Sequence, residues 1–259
     1  SVSLMPFIFL LFHRYLIKNN FLNLALSGGM MALFFLSGDI TVVYGMSIVL
    51  LCYSIYQCFV HKKVSLLKGF LLVMLIGCGL SLFKIIPTLE AIINSSRATG
   101  VVFKEAASWA FNPLQMIEFI VPLFTDILEP TEFQASQTWL LCPYFGFLPF
   151  IFLCVAVVNR WQMRYSFFTV VFLIFLILSF GNILPLYYWC YKILPGFSLF
   201  RFPVKFLCIV AFCSGLLSGF GWDIIFASKK LLKLLKHSLT VLLLIFITIC
   251  IIGDNYYEP

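Results

Sequence analysis

The chain has 259 residues, of which 63% are hydrophobic and only 10% are charged, and its mean hydropathy is +1.08. A water-soluble domain of this length carries roughly 25% charged residues, because polar side chains must cover its surface. The composition therefore excludes a soluble globular protein and predicts an integral membrane protein. The formal net charge of +7 resides largely in loops, and nucleic acid is not an expected partner.

Apolar runs of roughly membrane length recur along the chain. A hydrocarbon core of about 30 Å needs about 20 apolar residues in a helix, and fewer where flanking side chains reach the headgroups. The sequence predicts an all-α polytopic membrane protein, a single transmembrane domain over residues 1–259 with about eight antiparallel transmembrane helices. The predicted spans lie near residues 2–17, 21–37, 41–60, 65–86, 139–158, 165–181, 203–226 and 238–253.

The distribution of charge over the connections predicts the orientation of these spans. Cytoplasmic loops of membrane proteins carry an excess of Lys and Arg. Alternate connections are basic and contain no acid, with Arg14 and Lys18 in the first and Lys62, Lys63 and Lys68 in the second. The other connections and the C-terminal segment hold nine of the ten acids of the chain. We therefore expect the basic set to be cytoplasmic and both ends of the chain to be external.

The longest predicted loop covers residues 86–138 on the external side. It is too long for a simple connection, so we expect it to fold against the helices. Asn112 followed by Pro113 is typical of a helix start, and the apolar stretch that follows ends near Pro122. A stretch of this length is too short to span a bilayer. The pattern predicts an interfacial or re-entrant helix, either as a cover over an external cavity or as a loop along the membrane surface.

Small residues in the predicted seventh span indicate close helix packing. Ser214, Gly215, Ser218 and Gly219 form two pairs with a spacing of four residues. Such pairs let neighbouring helix backbones approach closely. We expect them to serve packing and to have no role in chemistry.

Two cations stand out in the stretch LPGFSLFRFPVKF, residues 194–206. Arg201 and Lys205 lie on the predicted external side, Arg201 in a loop from Asn182 to Pro203 that contains no acid and Lys205 just after it. A basic patch at headgroup depth suits a phosphate or another anion. The alternative is that both side chains reach lipid headgroups and anchor the seventh span.

Motifs for other chemistries are missing from the sequence. It has no glycine-rich phosphate loop, nucleophile elbow or metal-ligand cluster, and its three histidines fall in separate basic loops. We therefore expect no metal site and no cofactor.

Four stretches together resemble the YfhO-type bacterial membrane proteins, a branch of the type C glycosyltransferase-like superfamily. They are GLSLFKIIPTLEAIINSSRATG (residues 79–100), SWAFNPLQMIEFIVPLF (108–124), YFGFLPFIF (144–152) and GNILPLYYWCYKILPGFSLFRFPVKF (181–206). The last contains the Phe-Arg-x-Pro-x-basic pattern of that family. Their order and spacing hold over most of the chain.

The resemblance implies glycosyl transfer at the outer face of a bacterial plasma membrane. The donor would be a lipid-linked sugar phosphate, that is, a polyprenyl-phosphate sugar, and the acceptor a cell-envelope polymer or lipid. By its motifs, Arg201 and Lys205 would bind the donor phosphate, with Arg97 as a second choice. Glu90, just after Pro87, is the acid in this chain that best fits a catalytic position.

The sequence departs from the family pattern at both ends. The first span and the first large external loop of the family, which hold its usual acidic catalytic position, would precede residue 1. An extracytoplasmic domain would follow the C-terminal DNYYEP. We therefore interpret the chain as a fragment that alone can be inactive, and two alternatives stay open: a transporter or flippase for lipid-linked substrates, and a non-catalytic membrane scaffold.

Overall fold

A computed structural model of the chain describes residues 2–37, 39–95, 100–122, 143–158, 163–231 and 233, with residues 163–165 described by their backbone alone. This part of the chain is helical and contains no β-strand, which confirms the all-α prediction for it. Its α-helices are α1 (Met5–Lys18), α2 (Phe21–Ser37), α3 (Ile40–His61), α4 (Leu66–Leu80), α5 (Leu82–Ile93), α6 (Phe103–Ala106), α7 (Phe147–Val158), α8 (Met163–Ser179), α9 (Pro185–Ile193) and α10 (Leu207–Ala227).

Two of the described helices are long and apolar enough to cross a membrane. They are α3, with 22 residues, and the 25-residue helix Pro203–Ala227, in which a 3-10 turn runs directly into α10. A third span results if α4 and α5 are counted as one bent unit. The apolar helices α2, α7 and α8 are shorter. The chain is therefore suited to membrane association, while the count of eight spans stays a prediction and the predicted span 238–253 lies outside the described residues.

Local capping determines where the longest helices begin and end. Asp39 is the N-cap of α3, and its Oδ1 accepts a hydrogen bond of 2.9 Å from the backbone N–H of Thr41. At the other end of α3, Lys62 adopts left-handed backbone angles, and Asn19 does the same after α1. The observed ends at Lys18 and His61 each lie one residue beyond the predicted boundaries at residues 17 and 60.

The predicted span 65–86 is broken. The helix bends by 80° between α4 and α5, at Ser81. Gly77 and Gly79 weaken the helix just before the break, and the Ser81 hydroxyl donates to the carbonyl of Ala32 in α2 at 3.1 Å. Helical structure then continues to Ile93, so the predicted loop begins later than residue 86.

The tightest packing in the described part joins α7 to α10. A Cβ atom added at Gly221 would lie 1.8 Å from the carbonyl oxygen of Phe152, so only glycine fits there. Three residues earlier, the Ser218 hydroxyl lies 2.7 Å from the Pro149 carbonyl of α7 and equally close to the Ser214 carbonyl of its own helix. Around Gly215 and Gly219 there is open space. Of the two predicted small-residue rows, the serine row is therefore confirmed as a packing surface, while the glycine row faces away from these contacts.

Residues 100–122 are fastened to the rest of the bundle. Asn112 caps the 3-10 helix Pro113–Phe119, which confirms the predicted helix start, although the turn is tighter than an α-helix. Phe119 is only 2% exposed and stacks on Phe111 and Phe145. The predicted contact of this segment with neighbouring structure is thus confirmed, whereas its depth in a membrane stays a prediction and residues 123–138 lie outside the described part.

Candidate functional site

A cavity of about 610 Å³ opens where α2, α3 and α5 meet the segment 196–205. Apolar side chains form most of its wall. Three cations and one carboxylate interrupt this wall among the described residues. The polar lining consists of Asp39, Thr41, Lys84, Thr88, Arg201 and Lys205, and the apolar lining includes Phe35, Ile85, Leu89, Ile92, Leu199 and Phe200.

The segment that carries Arg201 and Lys205 is an irregular loop held from two sides. Tyr44 of α3 donates its hydroxyl hydrogen to the Pro195 carbonyl at 3.1 Å. From the other side, the backbone N–H of Phe202 donates to the Ala106 carbonyl at 3.2 Å. The cavity edge is therefore tied both to a membrane-length helix and to the segment that follows residue 100.

Phe202 holds a backbone conformation that is unfavourable for an L-residue with a side chain. Its φ is +69°, and such left-handed angles cost about 1–2 kcal/mol in a residue other than glycine. Trp109 also has a positive φ, of +58°. The two rings stack at a centroid distance of 4.2 Å, and the Lys205 ammonium lies 5.2 Å from the Phe202 ring centroid. This stack stabilises the turn that separates Arg201 from Lys205 while both line one cavity.

Lys205 forms an ion pair with Asp39 across the cavity. The Lys205 side chain is only 12% exposed and that of Asp39 is 37% exposed. Burial alone would raise the pKa of Asp39, but the hydrogen bond and positive charge of Lys205, with hydrogen bonds from Thr41, outweigh it. The pKa of Asp39 consequently lies below its ordinary value of 3.8.

Arg201 is paired more loosely. Its Nη2 lies 3.8 Å from a carboxylate oxygen of Glu105, and the two side chains are 32% and 62% exposed. Ion pairs this long and exposed contribute little to stability. The Nε atom of Arg201, in contrast, is buried and has no hydrogen-bond partner among the described residues. A buried donor without an acceptor is costly, and no acceptor among the described residues offsets this cost at Nε.

Lys84 brings a third cation to the cavity and also fastens α5. Its ammonium donates to the carbonyls of Phe35 and Leu36, at 3.1 and 2.6 Å, at the C-terminal end of α2. A cation at this end is favoured by the helix dipole. Lys84 therefore places its charge at the cavity wall and uses two of its three hydrogens to hold neighbouring helices together.

The structure brings together some of the residues that the sequence indicated as a site. Arg201 and Lys205 line the same cavity, as expected for two ligands of one anion. Glu90 is exposed and does not line the cavity, and Arg97 lies outside the described residues. The loop itself contains no acid, but Asp39 and Glu105 come from other segments of the chain to pair with the two cations.

Two cavity residues were not selected from the sequence as site residues. Asp39 belongs to the acidic external set, and Lys84 is a rare charge near the end of an apolar run. A charge inside or next to a membrane segment is costly and usually functional, so both residues could have been selected from the sequence on this ground. What the sequence could not show is their proximity to Arg201 and Lys205, which come more than 100 positions later in the chain.

Comparisons with known proteins add no assignment to this cavity. Neither protein-family models nor curated proteins nor solved structures match the chain. The function of the cavity therefore has to be inferred from its geometry and from the motifs of the sequence.

Proposed function

We propose that this chain is a glycosyltransferase-like membrane protein of the cell envelope that binds the phosphate of a polyprenyl-phosphate sugar at the outer membrane face. In this proposal the cavity is the donor-binding site. Arg201 and Lys205 hold the phosphate, and Lys84 adds positive charge to the wall. The protein transfers or otherwise handles the sugar for an acceptor polymer or lipid of a bacterial cell envelope.

The observation that carries the proposal is the environment of Arg201, which, within the described part of the chain, has an unsatisfied donor and a second cation nearby. Its Nε is buried without an acceptor among the described residues, beside a second cation of the same cavity. An arginine offers several N–H donors in a planar fork that matches two phosphate oxygens. A phosphate in the cavity would offer acceptor oxygens to this guanidinium.

The wall of the cavity supports a lipid as the carrier of that phosphate. Ile85, Leu89 and Ile92 of α5 line it together with Thr88. None of the α5 side chains is fully buried, and Phe83 and Ile86 on the same helix are 70% and 58% exposed. A helix that is apolar on its cavity side and on its outer side suits a hydrocarbon surrounding. A prenyl chain along α5 would thus meet apolar side chains while its phosphate meets the cations.

The proposal also includes the orientation of the chain in the membrane and the number of its spans. We place both ends of the chain and the cavity outside the plasma membrane, with about eight spans. Contacts between Lys205 and Asp39 and between Tyr44 and Pro195 agree with this arrangement, because they bring together regions that the charge pattern assigns to one side of the membrane.

The transfer step itself depends on the resemblance to type C glycosyltransferase-like proteins. Among the described residues, Asp39 is the only carboxylate that lines the cavity, and it is engaged with Lys205. The resemblance offers Glu90 as the catalytic acid, although Glu90 does not line the cavity. We therefore propose that this chain contributes donor binding, which a flippase for the same lipid would also need.

Arg201→Lys tests the proposed site. The substitution keeps the charge but removes the fork, so we expect it to weaken binding of a polyprenyl-phosphate hexose by about 10- to 100-fold, since a charge-assisted hydrogen bond contributes about 1.5–3 kcal/mol. Arg14→Lys, at an exposed position in α1, is the matched control and should leave affinity unchanged. Affinities are measured on purified protein in nanodiscs.

Equal affinities of the wild type and Arg201→Lys would return Arg201 to the role of a membrane anchor. Two assays on the wild type then separate the functional classes. Sugar transfer to an added acceptor indicates the enzyme, and movement of the lipid across a vesicle without transfer indicates the flippase. Binding without either activity would favour a scaffold.

A further inference from the structure

Asp39 introduces a negative charge into a cavity that otherwise presents cations. It faces Lys84, Arg201 and Lys205, and no other carboxylate lines the cavity among the described residues. Lys205, whose side chain is mostly enclosed, is already engaged by Asp39. An anion that enters the cavity therefore has to share Lys205 with a resident carboxylate.

Asp39 is held in place and cannot easily turn away from such an anion. While its Oδ2 contacts Lys205, its Oδ1 accepts the hydrogen bond from the Thr41 backbone that begins α3. A carboxylate at a helix N-terminus is further favoured by the helix dipole. Its negative charge therefore stays in the cavity when a ligand binds.

We propose that Asp39 is a specificity-determining residue that shifts the cavity towards a phosphodiester with one negative charge and away from a phosphomonoester with two. The inference rests on the proposed function, because it concerns the phosphate of the same lipid. Repulsion between Asp39 and a bound anion grows in proportion to the charge of the anion. The dianion therefore loses about twice as much binding free energy as the monoanion.

This difference bears on the release of the spent lipid. A polyprenyl-phosphate sugar is a phosphodiester. When an acceptor hydroxyl attacks the anomeric carbon, the bond from that carbon to the phosphate oxygen breaks and its electron pair stays on the oxygen. The acceptor proton passes to solvent, and the lipid becomes a monoester. Near pH 7 a phosphomonoester carries about 1.5–2 negative charges, so Asp39 weakens retention of the product more than that of the donor.

The test compares two lipids that differ by one charge and share one hydrocarbon chain. Farnesyl phosphate and its methyl diester are titrated at pH 8 into the full 259-residue chain in nanodiscs of uncharged lipid. Asp39→Asn keeps an N-cap for α3, since Asn caps helices as well as Asp. We expect it to raise affinity about fivefold for the diester and about twentyfold for the monoester, as removal of one unit charge near a partly solvated site implies.

Asp223→Asn is the matched control, because it removes the same charge at an exposed position of α10 that does not line the cavity. It should change both affinities less than about twofold. An equal rise for both lipids in Asp39→Asn, or a fall that shows Asp39 to position Lys205 for binding, would overturn the inference while leaving the proposed site intact. Binding of neither lipid by the wild type would overturn the proposed function and this inference with it.

Discussion

The interface between α7 and α10 and the cavity at the end of α3 are built on opposite principles. At the interface, Gly221 lets a backbone carbonyl approach directly, and the Ser218 hydroxyl lies within hydrogen-bond distance of a carbonyl across the contact. At the cavity, Phe202 is held in a left-handed conformation and Arg201 keeps a buried donor without an acceptor among the described residues.

The difference indicates that the residues important for stability and those proposed for binding lie in different regions of this chain. An interface of small residues can be closed completely, because nothing has to enter it. Under the proposed function, the cavity has to keep polar groups ready for a ligand, which agrees with its strained backbone at Phe202 and its excess of cations. Substitutions at the first region should therefore affect folding, and substitutions at the second should affect binding.

The largest effect is expected at Gly221. Gly221→Ala places a methyl group against the Phe152 carbonyl, where a Cβ would be 1.8 Å away. The helices would have to separate, which should cost more than the roughly 1–3 kcal/mol of ordinary overpacking. Thermal unfolding in detergent, followed by size-exclusion chromatography, measures the loss. Gly219→Ala, with open space around it, is the control, and equal stability of the two variants would contradict the described interface.

The next effect concerns the aromatic support of the cavity. Trp109→Ala removes the ring that stacks on Phe202, and aromatic pairs contribute about 0.5–1.5 kcal/mol. We expect the affinity for a polyprenyl-phosphate hexose to fall by up to roughly tenfold, with little change in thermal stability. Trp189, 56% exposed on α9, provides the control Trp189→Ala. A large loss of stability without a loss of affinity would assign Trp109 to the packing of the fold.

A smaller effect is expected from Ser218→Ala. It removes the hydroxyl that can donate to the Pro149 carbonyl between α10 and α7, and such bonds in membrane proteins contribute on average about 0.6 kcal/mol. Ser214→Ala is the control, because that hydroxyl donates to Ala211 within its own helix. In mixed detergent, Ser218→Ala should be less stable than Ser214→Ala. The reverse order would show that the contact with α7 contributes nothing to stability.

The smallest effect is the pH dependence that Asp39 introduces. Its pKa is lowered in the folded protein, so the stability from its pair with Lys205 is fully present above the ordinary pKa of 3.8. That stability is lost as the pH falls through the folded value. Because Asp39 is 37% exposed, we expect less than about 1 kcal/mol. The loss between pH 5 and pH 3 should be larger in the wild type than in Asp39→Asn, and identical profiles would exclude this contribution.

By itself, the sequence determined the class of the protein and much of its helical layout. Hydrophobic composition and apolar run length act locally, so the all-α class, the extent of α3 and the capped start at Asn112 followed from neighbouring residues. Arg201 and Lys205 could be selected because a charge beside an apolar run is rare in any fold.

Only the tertiary structure decided the break at Ser81, which of the small residues pack, and which acids meet the two cations. The Ser81 hydroxyl bonds a carbonyl 49 positions away, and Gly221 is essential only because the α7 backbone lies against it. Asp39 and Lys205 are 166 positions apart in sequence. Contacts of this kind depend on how helices pack against one another, which neither periodicity nor loop charge specifies locally. The set of residues that line the cavity follows from these contacts.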